Sequence, residues 1–313
     1  NIKEYKMNNL LFIHNKPKVF NIGDYLCTPI HYFDFGLRIH NNKIFLKEND
    51  YNCIVGGGAY KEHASNAIKD VKAGGIVTWA IGSSENSKIT SPNLEKFHRF
   101  STRDIKVAND FGVEFLPCVS VLSDLVDVPV GDKVGVFLNH DTDITESSDI
   151  ETIKSYCESN DIVFGTNSLS PNAFKKVFSG TNRIITNSYH VIYWSLLSGR
   201  SIKILGYSSK FYSLLDMFEL NEEAITRYEP RKGQLKTKVY ELLKTDNYFC
   251  IENNEELKGD FRRMNINFAN SLVESGFVPK AELNKKGHIT SSFRYAKYRL
   301  YMSLKMLKNK NGF

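Results

Sequence analysis

Short runs of apolar, β-branched residues recur along the chain at the spacing of alternating strands and helices. Most are apolar at every position, which is typical of parallel strands covered by helices on both faces. The pattern predicts strands at Leu10–Ile13, Tyr51–Val55, Ile76–Ile81, Val134–Leu138, Ile162–Phe164, Arg183–Thr186 and Ile202–Leu205. Helical spacing of apolar residues predicts helices at Glu62–Lys72, Thr102–Phe111, Ile150–Glu158, Pro171–Phe178, His190–Leu197 and Glu252–Gly276. The expected fold class is α/β.

The segment Asp127–Lys133 contains a proline and a glycine and directly precedes a predicted strand. It is a candidate boundary between two Rossmann-like domains, residues 1–128 and residues 129–275, followed by a basic helical tail over residues 276–313. Two such domains facing each other across a cleft would form a GT-B-like arrangement. A single large sheet would give a similar pattern.

The composition is that of an ordinary folded protein, with 42% hydrophobic and 24% charged residues among 313. It excludes a disordered, collagen-like or coiled-coil chain. Because no stretch approaches the roughly 18 consecutive apolar residues of a membrane span, no transmembrane helix is expected. The five cysteines are scattered and form no CxxC pair. This favours a reduced, cytoplasmic protein with buried thiols over a zinc ribbon.

The formal net charge of +6 is concentrated at one end of the chain. Residues 280–313 contain nine Lys and Arg against one acidic residue, so the rest of the chain carries −2. A predicted helix over Ser291–Leu307 has one apolar face and a basic remainder. Such a helix can lie on an anionic membrane surface, or it can dock its apolar face on the protein. Because no nucleic-acid-binding motif accompanies the basic residues, no nucleic acid partner is expected.

Glycines and polar residues follow several predicted strands, and ligands of open α/β sheets bind beyond the carboxyl ends of strands. The turn Asn21-Ile22-Gly23-Asp24 can cap a helix and leave backbone N–H groups free for an anion. The triple glycine Gly56–Gly58 and the segment Ile81–Ser84 allow a ligand or another backbone to approach closely. The alternative for each is an ordinary turn.

Two predicted helix starts carry ionisable residues. At the first, Thr102 is the expected N-cap, and Arg103 in the first turn opposes the helix dipole, which indicates an anionic partner in the protein or a ligand. At the second, His190 can act as an acid or base near neutral pH, or it can simply cap or pack. Further along, Lys210 can reach a phosphate or carboxylate, or lie in solvent.

The pair Asp141-x-Asp143 follows the strand Val134–Leu138. It matches the short DxD pattern with which many glycosyltransferases hold a divalent metal and a nucleotide diphosphate. Aspartates are also ordinary loop residues, so the pattern is weak.

Taken in order, NIGDYL, GGGAY, AIGSS, STRD, FLPC, SYH followed by SGR, and GYSSKF resemble the polysaccharide pyruvyl transferase family over roughly residues 20–212. The resemblance implies a GT-B-like fold of two Rossmann-type domains. It implies an enzyme that moves a pyruvyl group from phosphoenolpyruvate onto a pair of sugar hydroxyls, forming a ketal in bacterial exopolysaccharide, capsule or wall polymer biosynthesis. In one departure, many members have an arginine shortly before the histidine, where this chain has Asn187, Ser188 and Tyr189.

The resemblance and the chemistry of ketal formation together suggest roles for individual residues. The expected catalytic residues are His190 as general acid/base, with Asp24 and Asp104 orienting hydroxyls or loops. The expected donor- and anion-binding residues are Arg103, Lys210, Gly56, Gly57, Gly58, Ser188 and Tyr189. The candidate acceptor-binding or loop residues are Asn21, Gly23, Ser83, Asn139 and Asn187. No cofactor and no metal is implied.

The expected partners are a phosphoenolpyruvate donor and a sugar or lipid-linked oligosaccharide acceptor. A lipid-linked acceptor would suit a cytoplasmic enzyme held at the inner face of the plasma membrane by residues 280–313. The alternative is a GT-B glycosyltransferase with a nucleotide-sugar donor.

Overall fold

The computed structural model describes residues 9–15, 19–41, 46, 50–58, 69, 71–83, 89 and 94–284. In the first half, five parallel strands form a sheet in the order β3-β1-β4-β5-β6. The strands of this half are β1 (Asn9–Ile13), β2 (Phe33–Asp34), β3 (Arg38–His40), β4 (Tyr51–Gly56), β5 (Ile76–Trp79), β6 (Phe97–Arg99), β7 (Ser101–Thr102) and β8 (Glu114–Phe115). Its described α-helices are α1 (Ile22–Leu26) and α2 (Ile105–Phe111).

The second half contains another sheet of five parallel strands, in the order β10-β9-β11-β12-β13. Its strands are β9 (Lys133–Leu138), β10 (Val163–Thr166), β11 (Thr181–Thr186), β12 (Ser201–Gly206) and β13 (Ile225–Arg227). Its helices are α3 (Ser147–Ser159), α4 (Pro171–Ser179), α5 (Tyr189–Leu197), α6 (Lys210–Met217), α7 (Leu235–Leu243) and α8 (Asn254–Glu274).

Both sheets have the same strand order when the strands of each are counted from its own start, namely 2-1-3-4-5. The connections therefore change direction between the first and third strands of each sheet: β1 and β4 in one, β9 and β11 in the other. In open α/β folds this switch point opens the crevice in which ligands bind. The topology thus indicates one candidate crevice at the carboxyl ends of each sheet.

Helix α5 lies between the two halves, and every one of its residues is buried. A helix that is apolar all round is typical of a position enclosed by protein. Its Tyr193 hydroxyl donates to the Cys118 carbonyl (2.9 Å), and its Trp194 ring N–H donates to Ser120 Oγ (2.9 Å). One hydrophobic cluster joins residues of α1 and α5 with residues of the second sheet.

Helix α8 passes from the second half to the first. Near its middle, Phe261 stacks on Tyr193 with ring centroids 6.2 Å apart. Further on, Phe268 meets the Trp79 ring edge to face at 4.8 Å, and Asn265 accepts a hydrogen bond from the Trp79 ring N–H (2.9 Å). Beyond the helix, β14 (Glu282–Leu283) pairs antiparallel with β2.

The seven predicted strands are confirmed within about two residues at each end. The predicted helices that lie in the described residues are confirmed to the same accuracy, apart from the starts of α2 and α3, which are each displaced by three residues. The sequence reading missed the sheet-edge strands β3, β6 and β13, because each has only three residues and no continuous apolar run. It also missed α6 and α7. The predicted helix Ser291–Leu307 lies outside the described residues, as does most of Glu62–Lys72.

The proposed domain boundaries stay a prediction. Within the described residues, no helix is long and apolar enough to cross a membrane. Four of the cysteines are buried as expected, but Cys250 is exposed, because it lies in the irregular segment before α8.

Candidate active site

Loops at the carboxyl ends of the two sheets touch each other. The Ile22 N–H of α1 donates to the Asn167 carbonyl, which follows β10, over 2.7 Å. A Cβ atom added to Gly23 would lie 2.2 Å from His190 Nδ1. The His190 imidazole therefore rests directly on Gly23, and only a residue without a side chain fits there. This contact brings the two halves together at the crevice.

Arg103 is held at this contact by the backbone of the first half. Its N–H donates to the Ile81 carbonyl (3.1 Å), to which the Thr102 hydroxyl also donates (2.7 Å). The N-cap of α2 is Asp104, whose carboxylate accepts from Val107 N–H (3.2 Å). The predicted N-cap, Thr102, is wrong: the cap lies two residues later than expected, and the Thr102 hydroxyl oxygen accepts from the N–H of Asp104 (3.2 Å) rather than from an amide of the first turn. Arg103 lies directly before the N-cap rather than in the first turn.

The Arg103 side chain is a buried cation whose direct contacts are uncharged groups. It is 6% exposed, and its guanidinium carbon lies 4.1 Å from the centre of the Tyr189 ring. Its Nη1 donates to His190 Nε2 over 3.3 Å. A Cβ atom on Gly82 would lie 2.7 Å from its Nε. Among the residues that the structure describes, no carboxylate forms an ion pair with Arg103.

His190 is 7% exposed and neutral. Burial lowers its pKa well below the ordinary value, and the charges of Arg103 and Lys210 lower it further. Because Arg103 can only donate, the contact assigns the acceptor role to Nε2 and the proton to Nδ1. In this state, His190 can accept a proton but has none to give from Nε2.

Lys210 is the first residue of α6, and its ammonium donates to the Tyr207 hydroxyl (2.5 Å). Its pKa is lowered to about 8 by burial and by the charge of Arg103, while Asp24 and Asp141 act in the opposite direction. The charge of Lys210 in turn lowers the pKa of His190, so the ammonium lies within electrostatic range of both Arg103 and His190. Two cations therefore converge at the crevice.

Asp24 lies in the first turn of α1, where its carboxylate accepts a hydrogen bond from Asn15 (2.9 Å). A Cβ atom on Gly58 would lie 3.2 Å from the same carboxylate. Gly58 has φ +70°, a conformation that favours glycine. The sequence reading missed Asn15, although its position just after β1 is one at which polar residues contact ligands.

The N-terminus of α1 does not present free amides, contrary to expectation. Asn21 caps it, and the Asn21 side chain accepts from the N–H groups of Gly23 (2.9 Å) and Asp24 (3.4 Å). The Ile22 N–H is taken by Asn167. The cap consumes these donors, so the predicted anion site at this turn is wrong.

The N-terminus of α5 has the opposite character. Its N-cap, Ser188, makes no side-chain capping bond. In the described part of the chain, no protein acceptor takes the N–H groups of Tyr189, His190 or Val191. The first turn of α5 therefore offers three open amides beside Arg103.

Three further candidate residues make contacts that stabilise their own loops. Gly57 is approached by the Cys27 carbonyl, 2.5 Å from an added Cβ, and Gly56 is covered by Pro29 and Phe12. Ser83 accepts from the N–H of Ile89 (3.3 Å). The protein thus fills the space over Gly56 and Gly57, and Gly58 faces Asp24.

Two asparagines join the strand ends of the second sheet. The Asn187 side-chain oxygen accepts from Asn139 N–H (2.6 Å), and its amide donates to the Tyr228 hydroxyl (2.9 Å). The Asn139 amide donates to the Tyr207 hydroxyl (3.3 Å). This network fixes the loop that carries Lys210. The sequence reading did not single out Tyr207, although it lies directly after β12.

Asp141 and Asp143 form a turn rather than a cation site. Asp141 accepts from the N–H of Asp143 (3.0 Å), and Asp143 pairs with Arg231. Both side chains are exposed. No cluster of metal-binding side chains occurs among the residues that the structure describes.

Two doubly wound sheets, with Arg103 and Lys210 in loops near their carboxyl ends, define an α/β protein of the kind that binds ligands at this edge of its sheets. The family model of polysaccharide pyruvyl transferases matches residues 7–209, about two thirds of the chain. The chain belongs to the polysaccharide pyruvyl transferase family, and it is a transferase that modifies polysaccharides.

No curated protein matches the chain in sequence. Two solved structures of the wall teichoic acid polymerase TagF, one soaked with CDPG, are similar at TM-scores of 0.31 and 0.30. Each is 11% identical to this chain and covers 97% and 96% of it, with 91% of the TagF chain covered in both cases.

Proposed function

We propose that the protein transfers a pyruvyl group from phosphoenolpyruvate to two hydroxyls of a sugar, forming a cyclic ketal. The observation that carries this proposal is Arg103, a buried guanidinium with no ion pair to a carboxylate among the described residues. Burial of a cation is unfavourable unless an anion balances it. A phosphorylated carboxylic acid supplies that balance.

The donor's anionic groups are bound by three elements. Arg103 reaches the crevice from the first half and Lys210 from the second, and the first turn of α5 adds its open amides. Arginine suits planar carboxylate and phosphate oxygens, and a helix N-terminus favours the same groups. Their different positions suit a donor with two separate anionic ends.

The reaction requires a proton to reach the methylene carbon of phosphoenolpyruvate, leaving a cationic centre at the carbon that bears the phosphate. One sugar hydroxyl attacks this carbon, phosphate leaves, and the second hydroxyl closes the ketal. Of the two hydroxyl protons released, one replaces the proton donated to the methylene carbon, and the other leaves with phosphate. His190 transfers protons in this cycle.

Donor binding changes the state of His190. The cations Arg103 and Lys210 depress its pKa in the free site. A donor anion between these cations offsets their charge, so the imidazole gains affinity for a proton when the donor is present. We assign Asp24 to the acceptor hydroxyls, and Asp104 to fixing the loop of Arg103 through its cap on α2.

The proposal also includes the arrangement of the two sheets and the class of the acceptor. The two sheets are the halves of a GT-B-like fold, and the acceptor is a sugar or a lipid-linked oligosaccharide of a bacterial surface polymer. The predicted membrane contact of residues 280–313 falls almost wholly outside the described residues. Lys280 itself pairs with Asp34 (2.7 Å).

The direct test measures phosphoenolpyruvate binding by calorimetry, and phosphate release with a panel of sugar acceptors. His190→Asn and His190→Ala should lower kcat by about 10²–10⁴-fold with thermal stability retained. Parallel titrations with UDP-, GDP- and CMP-sugars cover the nucleotide-sugar alternative. Binding of a nucleotide-sugar without binding of phosphoenolpyruvate would overturn the proposal, and turnover by His190→Ala near the wild-type rate would remove His190 from it.

A further inference from the structure

Tyr189 has a buried hydroxyl that bonds to nothing in the protein. The residue is 5% exposed, and its hydroxyl oxygen is inaccessible to solvent and has no hydrogen-bond partner among the described residues. Buried polar atoms in native proteins almost always have a partner, because an unsatisfied one costs free energy. The unsatisfied hydroxyl therefore indicates a hydrogen-bond partner that is not part of the protein, such as a ligand.

The ring of Tyr189 connects the groups on either side of it. Its face supports the Arg103 guanidinium at 4.1 Å, and its centroid lies 5.4 Å from that of the His190 ring, edge to face. The phenol is also close enough to Arg103 for each group to shift the pKa of the other. Tyr189 therefore reaches from α5 to the cation that the first half supplies.

We infer that Tyr189 is a donor-binding residue: its ring holds the Arg103 guanidinium in place, and its hydroxyl donates a hydrogen bond to the same anionic group that Arg103 binds. The inference deepens the proposed function and rests on it for the identity of the donor. It accounts for the unsatisfied hydroxyl, because that hydroxyl gains its partner only when an anion enters.

The neighbouring groups point to an anion rather than a neutral ligand. Burial raises the pKa of Tyr189, so the phenol keeps its proton and can donate across the neutral range. The open N–H groups at the start of α5 are donors, and so is Arg103. Within the described residues, the protein leaves the amides and the phenol without acceptors and gives the Arg103 guanidinium only one, and such a set of donors is complementary to phosphate or carboxylate oxygens.

The same helix supplies a matched control. Tyr193 lies one turn further along α5, and its hydroxyl donates to the Cys118 carbonyl (2.9 Å). Tyr193→Phe removes a hydrogen bond that the free protein makes, whereas Tyr189→Phe removes a hydroxyl that bonds to nothing in the free protein. The two variants delete the same atom from two different environments.

The experiment measures the melting temperature of both variants without ligand, and with phosphoenolpyruvate or inorganic phosphate as probe. Tyr189→Phe should melt at or above the wild-type temperature without ligand, and its stabilisation by either anion should shrink. In the assay, its KM for phosphoenolpyruvate should rise about tenfold while the KM for acceptor stays unchanged. Tyr193→Phe should melt earlier, with an unchanged KM for the donor.

A larger truncation separates the two roles of the residue. Tyr189→Leu also removes the ring under Arg103, so kcat/KM for the donor should fall further than in Tyr189→Phe. Equal values for the two variants would overturn the supporting role of the ring.

The outcomes separate this inference from the proposed function. If phosphate stabilises the wild type, Tyr189→Phe weakens that effect and phosphoenolpyruvate has none, the inference stands and the proposed donor is wrong. If both anions stabilise Tyr189→Phe as much as the wild type, the inference is wrong and the donor stands. Earlier melting of Tyr189→Phe without ligand would also overturn the inference, because it would show that the hydroxyl bonds within the protein. If neither anion stabilises the wild type, both fail.

Discussion

Two regions of the molecule each bury an arginine, and the two arginines differ in how many protein acceptors surround them. Behind the second sheet, Arg200 has no exposed surface and donates to five oxygen atoms of the protein, those of Thr181, Val128, Pro129, Phe178 and Ser198. At the crevice, Arg103 is almost as deeply buried but has a neutral imidazole and an aromatic face as its contacts.

The difference distinguishes a structural cation from the one that we propose binds the donor. Four backbone carbonyls and the Ser198 hydroxyl saturate the donors of Arg200, and two of these carbonyls belong to the segment between the halves. The sequence motif Ser198-Gly199-Arg200 therefore fixes that segment. Among the residues that the structure describes, the Arg103 guanidinium uses one of its N–H groups for His190, and the others remain available to hydrogen-bond an anion that enters from solution.

The largest expected effect comes from removing the crevice arginine. Arg103→Met should lower kcat/KM for the donor by about 10³-fold, since it deletes a charged contact to the reacting group in a site shielded from water. The free energy of unfolding should stay the same or rise, because no carboxylate of the described residues forms an ion pair with Arg103. Steady-state kinetics and urea denaturation measure the two quantities. A clear loss of stability would mean that Arg103 is structural, like Arg200.

The matched change at the other arginine should give the reverse result. Arg200→Met leaves several buried carbonyls without donors and should lower the free energy of unfolding by about 3–5 kcal/mol. Activity per folded molecule should stay near the wild-type value, since Arg200 lies away from His190 and Lys210. Urea denaturation and active-site titration provide the measurements. Unchanged stability would contradict the structural role.

The smallest effect concerns the second crevice cation. Lys210 is charged below its pKa of about 8, so its contribution to donor binding is present below that pH and is lost as the pH rises through it. The KM for phosphoenolpyruvate should therefore rise about tenfold between pH 7 and pH 9.5. Lys210→Arg keeps its charge over this range and should abolish the rise. A wild-type KM independent of pH would exclude a contact between Lys210 and the donor.

The sequence predicted the sheets well, because buried parallel strands are continuous apolar runs that need no tertiary information to recognise. It failed for edge strands such as Arg38–His40, whose pairing with β1 depends on a neighbour rather than on their own composition. It also placed the N-cap of α2 at Thr102, because it could not show that β7 extends to this residue and that the helix begins only after Asp104.

The candidate site was predictable in its residue types but not in its connections. A histidine at a strand-to-helix junction and a Gly-Asp turn are local signals, and both lie at the crevice. That His190 rests on Gly23 is a contact between residues 167 positions apart, which no local pattern contains. The sequence likewise could not show whether Arg103 or Arg200 was saturated, because that depends on which carbonyls the fold brings to each.

The path of α8 has a consequence for how the protein is made. The hydrophobic cluster of the first sheet includes Phe268, Ala269, Leu272, Phe277 and Val278, which come from the far end of the described chain. As the chain leaves the ribosome, strands β1, β4 and β5 emerge early but lack this cover until residue 278 has followed them. The first sheet therefore completes its core last, although it is synthesised first. A fragment ending at residue 128 would expose that apolar face and be prone to aggregation.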